Sequence, residues 1–200
     1  LARAVPALFF DVGPRTPKYR TDFYDMYLEC CEEAYWEKVF DWTQQRGLLT
    51  AYDNLGREVF AKQPLAYIDY FRTQRAFSAP GSDDFVRWPE GNPRQYYRNY
   101  FDSRIASSIG HLYQRPRVWL EAVHSTGWGR TPEETLDWLS TGFAYGANLY
   151  NEHGLYYTTR GSTWACAAPD PHFRQPYWVH YRAVSDCVAR MSCAMSYGRH

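Results

Sequence analysis

The chain of 200 residues is long enough to build one domain with a real core, and its 22 basic and 22 acidic residues give no net charge. A neutral balance argues against binding to nucleic acid or to an acidic membrane surface. The longest apolar runs are far too short to cross a bilayer, and no signal peptide is recognisable. The sequence begins with Leu1 and not with Met. A targeting segment upstream is therefore compatible with it, and so is a secreted or periplasmic location.

Aromatic residues are unusually frequent: 8 Trp, 18 Tyr and 11 Phe make up 18% of the chain. Tyr and Trp join a large apolar face to a polar group, which suits both a packed core and a cleft that stacks against sugars. Composition alone does not separate these two interpretations. The five cysteines include no C-x-x-C pair and form no pattern typical of a metal site.

Taken in chain order, the predicted elements alternate between short apolar strands and longer helices. The strands are predicted at 6–12, 48–53, 75–79, 117–123 and 147–151, and helices at 22–46, 97–112, 131–146 and 176–195. Thr131, Pro132 and Glu134 form a strong helix start, with a capping side chain, proline in the first turn and a capping-box glutamate. Strict alternation implies parallel strands joined by crossover helices.

This α/β pattern fits either a doubly wound sheet or part of a (β/α)8 barrel. A closed barrel typically needs about 250 residues and eight strands, more than this chain supplies. No Gly-x-Gly-x-x-Gly motif follows a predicted strand and no Walker loop is present, which weakens a nucleotide-binding sheet and favours the barrel. We therefore predict one incomplete catalytic barrel domain over residues 1–200.

Carboxylates follow four of the five predicted strands, where parallel α/β folds place their sites. Glu121 is the strongest candidate, because a glutamate within an apolar strand is costly to bury and burial raises its pKa towards that of a working acid or base. The alternative is a buried glutamate paired with an arginine. Asp11 stands in the same position on the first strand.

Two carboxyl groups on either side of a glycosidic bond can act as general acid and general base. A separation of roughly 6.5–9.5 Å leaves room for a water molecule and inverts the anomeric centre, whereas about 5 Å gives retention. Asp53 is a candidate for catalysis or substrate binding, or else an acceptor in the turn that follows it. The sequence supplies these candidates without their separation.

Two histidines and two rings complete the candidate site. His124 and His153 are expected to bind sugar hydroxyls, to be structural, or to hold the metal of a barrel hydrolase, although no H-x-H or H-E-x-x-H motif is present. Trp128 and Tyr156 lie after predicted strands, where stacking rings are expected. No Gly-x-Ser-x-Gly motif supports a serine hydrolase.

Four stretches together carry a family resemblance: 105–121, 124–134, 146–157 and 175–178. Their order is a helix, an Arg-Pro-Arg-Val strand ending in Glu121, then Gly-Trp-Gly, Thr-Pro-Glu, an Asn-containing strand and His-Gly-Leu-Tyr. This order resembles the α-L-rhamnosidase-type glycoside hydrolases of family 106 and their relatives. The resemblance implies that the chain forms about the last five βα units of their barrel.

The resemblance also implies an inverting hydrolysis of a terminal α-L-rhamnoside-like sugar, with Glu121 as the base and with His153 and Tyr156 lining the pocket. Calcium near the sugar is implied for some members, and the partners expected are a carbohydrate substrate and the remaining barrel and β-rich domains of a longer chain. Two departures stand out. Residues 78–83 replace the Gly-Glu that usually follows the middle strand, and Asp11 alone is available as the acid. A non-catalytic carbohydrate-binding homologue is the main alternative.

Overall fold

The computed structural model describes residues 4–51, 69–83, 93–123, 126–162, 168 and 170–197, with residues 93–102 described by their backbone. These residues fall into two compact units. The first holds the described residues up to Thr50 together with 69–77, and the second holds Ala51 and those from Ser78 onwards. That residues 1–200 form one barrel domain stays a prediction.

Helices dominate the first unit. After a 3-10 helix at Val5–Leu8, a long helical rod is made of α1 (Thr16–Cys31), one π-helical turn (Glu32–Trp36) and α2 (Glu37–Gln44), and α3 (Tyr70–Gln74) follows. The carboxylate of Glu32, which is 4% exposed, accepts hydrogen bonds from the Arg72 guanidinium at 2.5 and 2.9 Å. This ion pair ties the π-helical turn to α3 and leaves the buried charge compensated.

The second unit is built on a parallel sheet. Its elements are β1 (Gly81–Asp83), α4 (Pro93–Leu112), β2 (Trp119–Ala122), α5 (Pro132–Ala144), β3 (Leu149–Glu152), a 3-10 turn (Trp178–His180) and α6 (Tyr181–Met195). Within the described residues the sheet has three strands in the order β1-β2-β3, and both pairings are parallel. The chain is thus a helix-rich α/β protein with a small parallel sheet.

The core of the second unit lies between one face of the sheet and helices α5 and α6. Leu120 and Ala122 project from β2 into this layer and are fully buried. They pack with apolar residues of both helices, among them Leu139, Phe143, Val184 and Val188. Because side chains alternate along a strand, Trp119 and Glu121 project from the opposite face of β2.

Three of the predicted strands are corrected by the structure. Residues 5–8 form a 3-10 helix, and Phe9 and Phe10 are 73% and 68% exposed rather than buried. The carbonyl oxygens of Ala7 and Phe10 accept hydrogen bonds from the Arg20 side chain, so this segment needs no partner strand. Residues 48–51 are irregular, with Leu48 and Leu49 about half exposed, and the rest of the predicted strand 48–53 lies outside the described residues.

The third correction moves a strand along the chain. Residues 75–79 form a turn and an irregular segment after α3, and the strand begins only at Gly81. Phe77 and Ala79 are buried, which explains the apolar pattern, but the paired residues are Gly81, Ser82 and Asp83, none of which favours a strand by itself. An apolar pattern at 75–79 therefore reflects burial without strand pairing.

The later elements agree better with their predictions. The structure has β2 within the predicted 117–123, and β3 overlaps 147–151. The capping box at the start of α5 is confirmed: the Thr131 backbone N–H donates to Glu134 Oε2 at 2.9 Å, and the Glu134 N–H donates to Thr131 Oγ1 at 3.2 Å. Among the described helices, none combines the length and the apolar character that crossing a membrane requires.

Candidate functional site

Polar side chains lie at one register position of the sheet, near the carboxyl ends of its strands. Asp83 of β1 is paired with Glu121 of β2, and Glu121 is paired in turn with Asn151 of β3. Residues in one register position share a face, and neighbouring strands are about 4.8 Å apart. The three side chains therefore form a row on the sheet face opposite the hydrophobic core. Asp83 is buried, with 5% of its surface exposed.

Glu121 is held by a histidine from the neighbouring strand's end. His153 Nδ1 lies 2.8 Å from Glu121 Oε1, and the side chains are 28% and 13% exposed respectively. His153 follows β3 directly, and its backbone N–H donates to the carbonyl oxygen of Ala122 at 3.3 Å. Two of the predicted site residues, Glu121 and His153, are thus in direct contact.

A tryptophan lies on the same face, two register positions before the carboxylates. Trp119 is paired with Gly81, and a Cβ added to Gly81 would lie 2.5 Å from the Trp119 carbonyl oxygen and 2.6 Å from its Cβ. The absence of a side chain at Gly81 lets β1 approach this closely. Trp119 is 9% exposed, so the part of the sheet face next to the polar side chains is closely packed.

The backbone beyond β2 is strained. Val123 is fully buried and has φ +83°, in the left-handed region that a β-branched residue rarely adopts. Such conformations persist where surrounding structure enforces them, and they cluster at functional sites. The next residues, His124 and Ser125, lie outside the described residues. The strained backbone of Val123 therefore follows β2 directly, two residues after Glu121.

Trp128 and Tyr156, the two aromatic residues predicted to stack on a ligand, are in contact with each other. Trp128 and Tyr156 meet edge to face, with ring centroids 6.1 Å apart. The Tyr156 backbone N–H donates to Asp170 Oδ1 at 3.3 Å, and its carbonyl oxygen accepts from Arg174 Nη1 at 2.9 Å. Asp170 is fully buried and pairs with Arg174 at 2.6 Å, so a buried ion pair supports Tyr156.

Glu152 lies on the other side of the sheet from Glu121. Its carboxylate accepts a short hydrogen bond from the Tyr181 hydroxyl of α6, and the Tyr150 hydroxyl lies beside it. Burial raises the pKa of Glu152 to about 7, against the lowering effect of these hydroxyls. Burial also raises the pKa of Tyr177, to about 12, with a further contribution from the Glu152 charge. A largely buried carboxyl group thus links β3 to α6.

Asp11 has a local structural role in the first unit. Its Oδ1 accepts hydrogen bonds from the Gly13 N–H at 2.9 Å and from the Thr16 hydroxyl at 2.8 Å, at the entrance to α1. The hydrogen bond from Gly13 has the larger effect and the one from Thr16 adds to it. Together they hold the pKa of the exposed Asp11 carboxyl below its usual value. The predicted strand end at Asp11 is absent, and its part in catalysis stays a prediction.

Two further predicted site residues, Asp53 and His124, lie outside the described residues. One site residue, Asp83, escaped the sequence argument. The strand predicted at 75–79 ended the candidate segment at Gly81, two residues short of the carboxylate. The available signal is the run of small residues and proline from Ser78 to Ser82 directly before Asp83, because a glycine within a strand permits close approach of two strands.

A calcium ion was implied by the family resemblance. Among the described side chains, no group of three or more His, Cys, Asp or Glu is placed to hold a metal ion. Asp83, Glu121 and His153 thus do not form a ligand set for calcium, or for the metal of a barrel hydrolase, in the described part of the chain. Calcium and the metal of a barrel hydrolase both stay predictions.

Comparisons with known proteins add one relation. No protein-family model matches the sequence, and no curated protein does. Among solved structures, the chain is similar to the rhamnosidase from Novosphingobium sp. PP1Y, with a TM-score of 0.71 over 92% of this chain and 19% sequence identity. The match covers 17% of the length of that rhamnosidase. At this identity the likeness shows the fold alone: the chain has a rhamnosidase-like fold.

Proposed function

We propose that this chain is part of a (β/α)8-barrel glycoside hydrolase that removes a terminal α-L-rhamnoside-like sugar with inversion. The observation that carries the proposal is the half-buried carboxylate of Glu121 at the carboxyl end of β2, held by His153 at 2.8 Å. Sites of parallel barrels gather at that end of the strands. The rhamnosidase-like fold and the paired rings of Trp128 and Tyr156 support a sugar as the ligand.

Glu121 serves as the general base in this proposal. A base must be ionised and must have an oxygen directed at the attacking water. The histidine contact supports the second requirement, because a hydrogen bond between His153 Nδ1 and Oε1 holds the carboxylate in place. The water then loses a proton to Glu121 as its oxygen attacks the anomeric carbon, and the leaving oxygen takes a proton from the general acid.

Asp83 is better suited to bind a sugar hydroxyl than to be that acid. The acid and the base must approach the glycosidic bond from opposite sides. Asp83 and Glu121 come from neighbouring strands and share a face, so they approach from the same side. Asp83 therefore acts as a hydroxyl acceptor beside the base.

The reaction also needs a general acid. Asp11 remains the residue proposed for it, but a general acid must be protonated at working pH, and the hydrogen bonds from Gly13 and Thr16 lower the pKa of Asp11. This observation favours the second candidate, a carbohydrate-binding homologue that keeps Glu121 and the rings but lacks an acid.

A screen of the complete protein against aryl glycosides tests the two candidates. The hydrolase proposal predicts turnover of aryl α-L-rhamnosides above other glycosides, with β-rhamnose as the first product seen by NMR. Binding of rhamnose without turnover of any glycoside would favour the binding homologue. Neither binding nor turnover of any sugar tested would reject both.

A further inference from the structure

The end of β3 divides its side chains between two sites. Tyr150 and Glu152 point towards α6, where Glu152 accepts from Tyr181. Asn151 and His153 lie on the opposite face, where His153 meets Glu121. The end of β3 is thus attached to α6 through Glu152 on one face of the sheet and places His153 beside Glu121 on the other face.

The backbone around His153 is fixed at several points. Its N–H donates to the carbonyl oxygen of Ala122, which keeps the parallel pairing going one residue past β3. Gly154 follows with φ +76°, and a Cβ there would lie 2.9 Å from the Tyr156 ring. Tyr156 is in turn bonded to the buried Asp170 and to Arg174. A side chain between such anchors has little freedom to swing towards a ligand.

The contact between the two side chains engages one ring nitrogen of His153. His153 Nδ1 is 2.8 Å from Glu121 Oε1, within the range of a charge-assisted hydrogen bond. The bond holds Oε1 and so restricts the orientation of the carboxylate. A histidine that orients a general base in this way corresponds to the third group that orients the base in a nucleophile–base pair.

We infer that His153 is a positioning residue for Glu121, rather than a sugar ligand as its place in the sequence suggested. The inference rests on the proposed function, since it assigns His153 a part in the same hydrolysis. It predicts that loss of the Nδ1–Oε1 bond slows the chemical step and leaves sugar binding nearly unchanged.

Two substitutions in the complete protein separate these roles. His153→Leu keeps the approximate volume and removes the donor, whereas His153→Asn keeps an amide donor near the place of Nδ1. For aryl α-L-rhamnoside hydrolysis, we expect His153→Leu to lower kcat by about 10- to 100-fold with KM within about twofold, and His153→Asn to recover most of the loss. A spectroscopic check needs no substrate: the ¹⁵N signal of His153 Nδ1 should shift in Glu121→Gln and stay in place in Glu133→Gln.

The outcomes distinguish this inference from the proposed function. Turnover that depends on Glu121, together with a His153→Leu variant whose KM rises while kcat holds, would overturn the positioning role and leave the hydrolase intact. An unmoved His153 signal in Glu121→Gln would also overturn it. A wild-type protein without glycosidase activity would overturn the proposed function and, with it, the catalytic part of the inference.

Discussion

Asp83 and Glu121 occupy the same register position on neighbouring parallel strands, on the sheet face turned away from the hydrophobic core. This pairing depends on Gly81, which lets β1 lie against Trp119 two register positions earlier. The two carboxylates form one side of a polar site to which β3 adds Asn151 and His153. Three strands thus contribute to a single site.

Asp83 is predicted to bind a sugar hydroxyl. A hydrogen bond to a charged group contributes about 1.5–3 kcal/mol, so Asp83→Asn should lower kcat/KM for an aryl α-L-rhamnoside by about 10- to 100-fold. Asp137→Asn, an exposed aspartate of α5, is the matched control and should leave kcat/KM unchanged. Equal kinetics in both variants would remove Asp83 from the site.

Gly81 is predicted to be required for the close approach of β1 to β2. In Gly81→Ala the new Cβ would meet backbone and Cβ atoms of Trp119, which move only with the strand, so we expect a loss of about 1–3 kcal/mol in the free energy of unfolding. Gly129→Ala is the control, because a Cβ there has nothing within 4 Å. Urea unfolding of both variants measures the difference, and equal stabilities would contradict the packing described.

Glu152 is predicted to make stability depend on pH. Burial raises its pKa in the folded protein to about 7, above the ordinary value of 4.5. The folded state then holds the proton more tightly, so its stabilising contribution is complete below pH 4.5 and is lost as the pH rises towards 7. The shift corresponds to roughly 3 kcal/mol.

Urea unfolding of the wild type and of Glu152→Gln between pH 4.5 and pH 7.5 measures this contribution. Relative to the variant, the wild type should lose free energy of unfolding as the pH rises. The same pH dependence in both proteins would assign the effect to other groups.

The part of the fold that could be predicted from the sequence is the part with strong local signals. The capping box of Thr131 and Glu134 sets the start of α5, and the apolar run around Leu120 marks β2. Glu121 was found because a charged residue in such a run stands out. These signals depend on neighbours in the chain, so a single sequence reveals them.

The rest depends on contacts between distant residues. β1 consists of Gly81, Ser82 and Asp83, whose pairing comes from the fit to Trp119 and not from strand propensity. The Phe9–Phe10 pair resembled a buried strand, but Arg20 takes up the carbonyl groups of that segment. For His153, only the register of β3 against β2 reveals the contact with Glu121.

The most direct test of the central claim is the hydrolysis of an aryl α-L-rhamnoside by the complete protein and by its Glu121→Gln variant, with Glu133→Gln as the control. Loss of a general base lowers kcat by about 10²- to 10⁴-fold, while the isosteric amide preserves the shape of the site and leaves rhamnose binding in place. We predict that fall for Glu121→Gln and wild-type kinetics for Glu133→Gln. A Glu121→Gln protein that hydrolyses the rhamnoside at the wild-type rate would contradict the account.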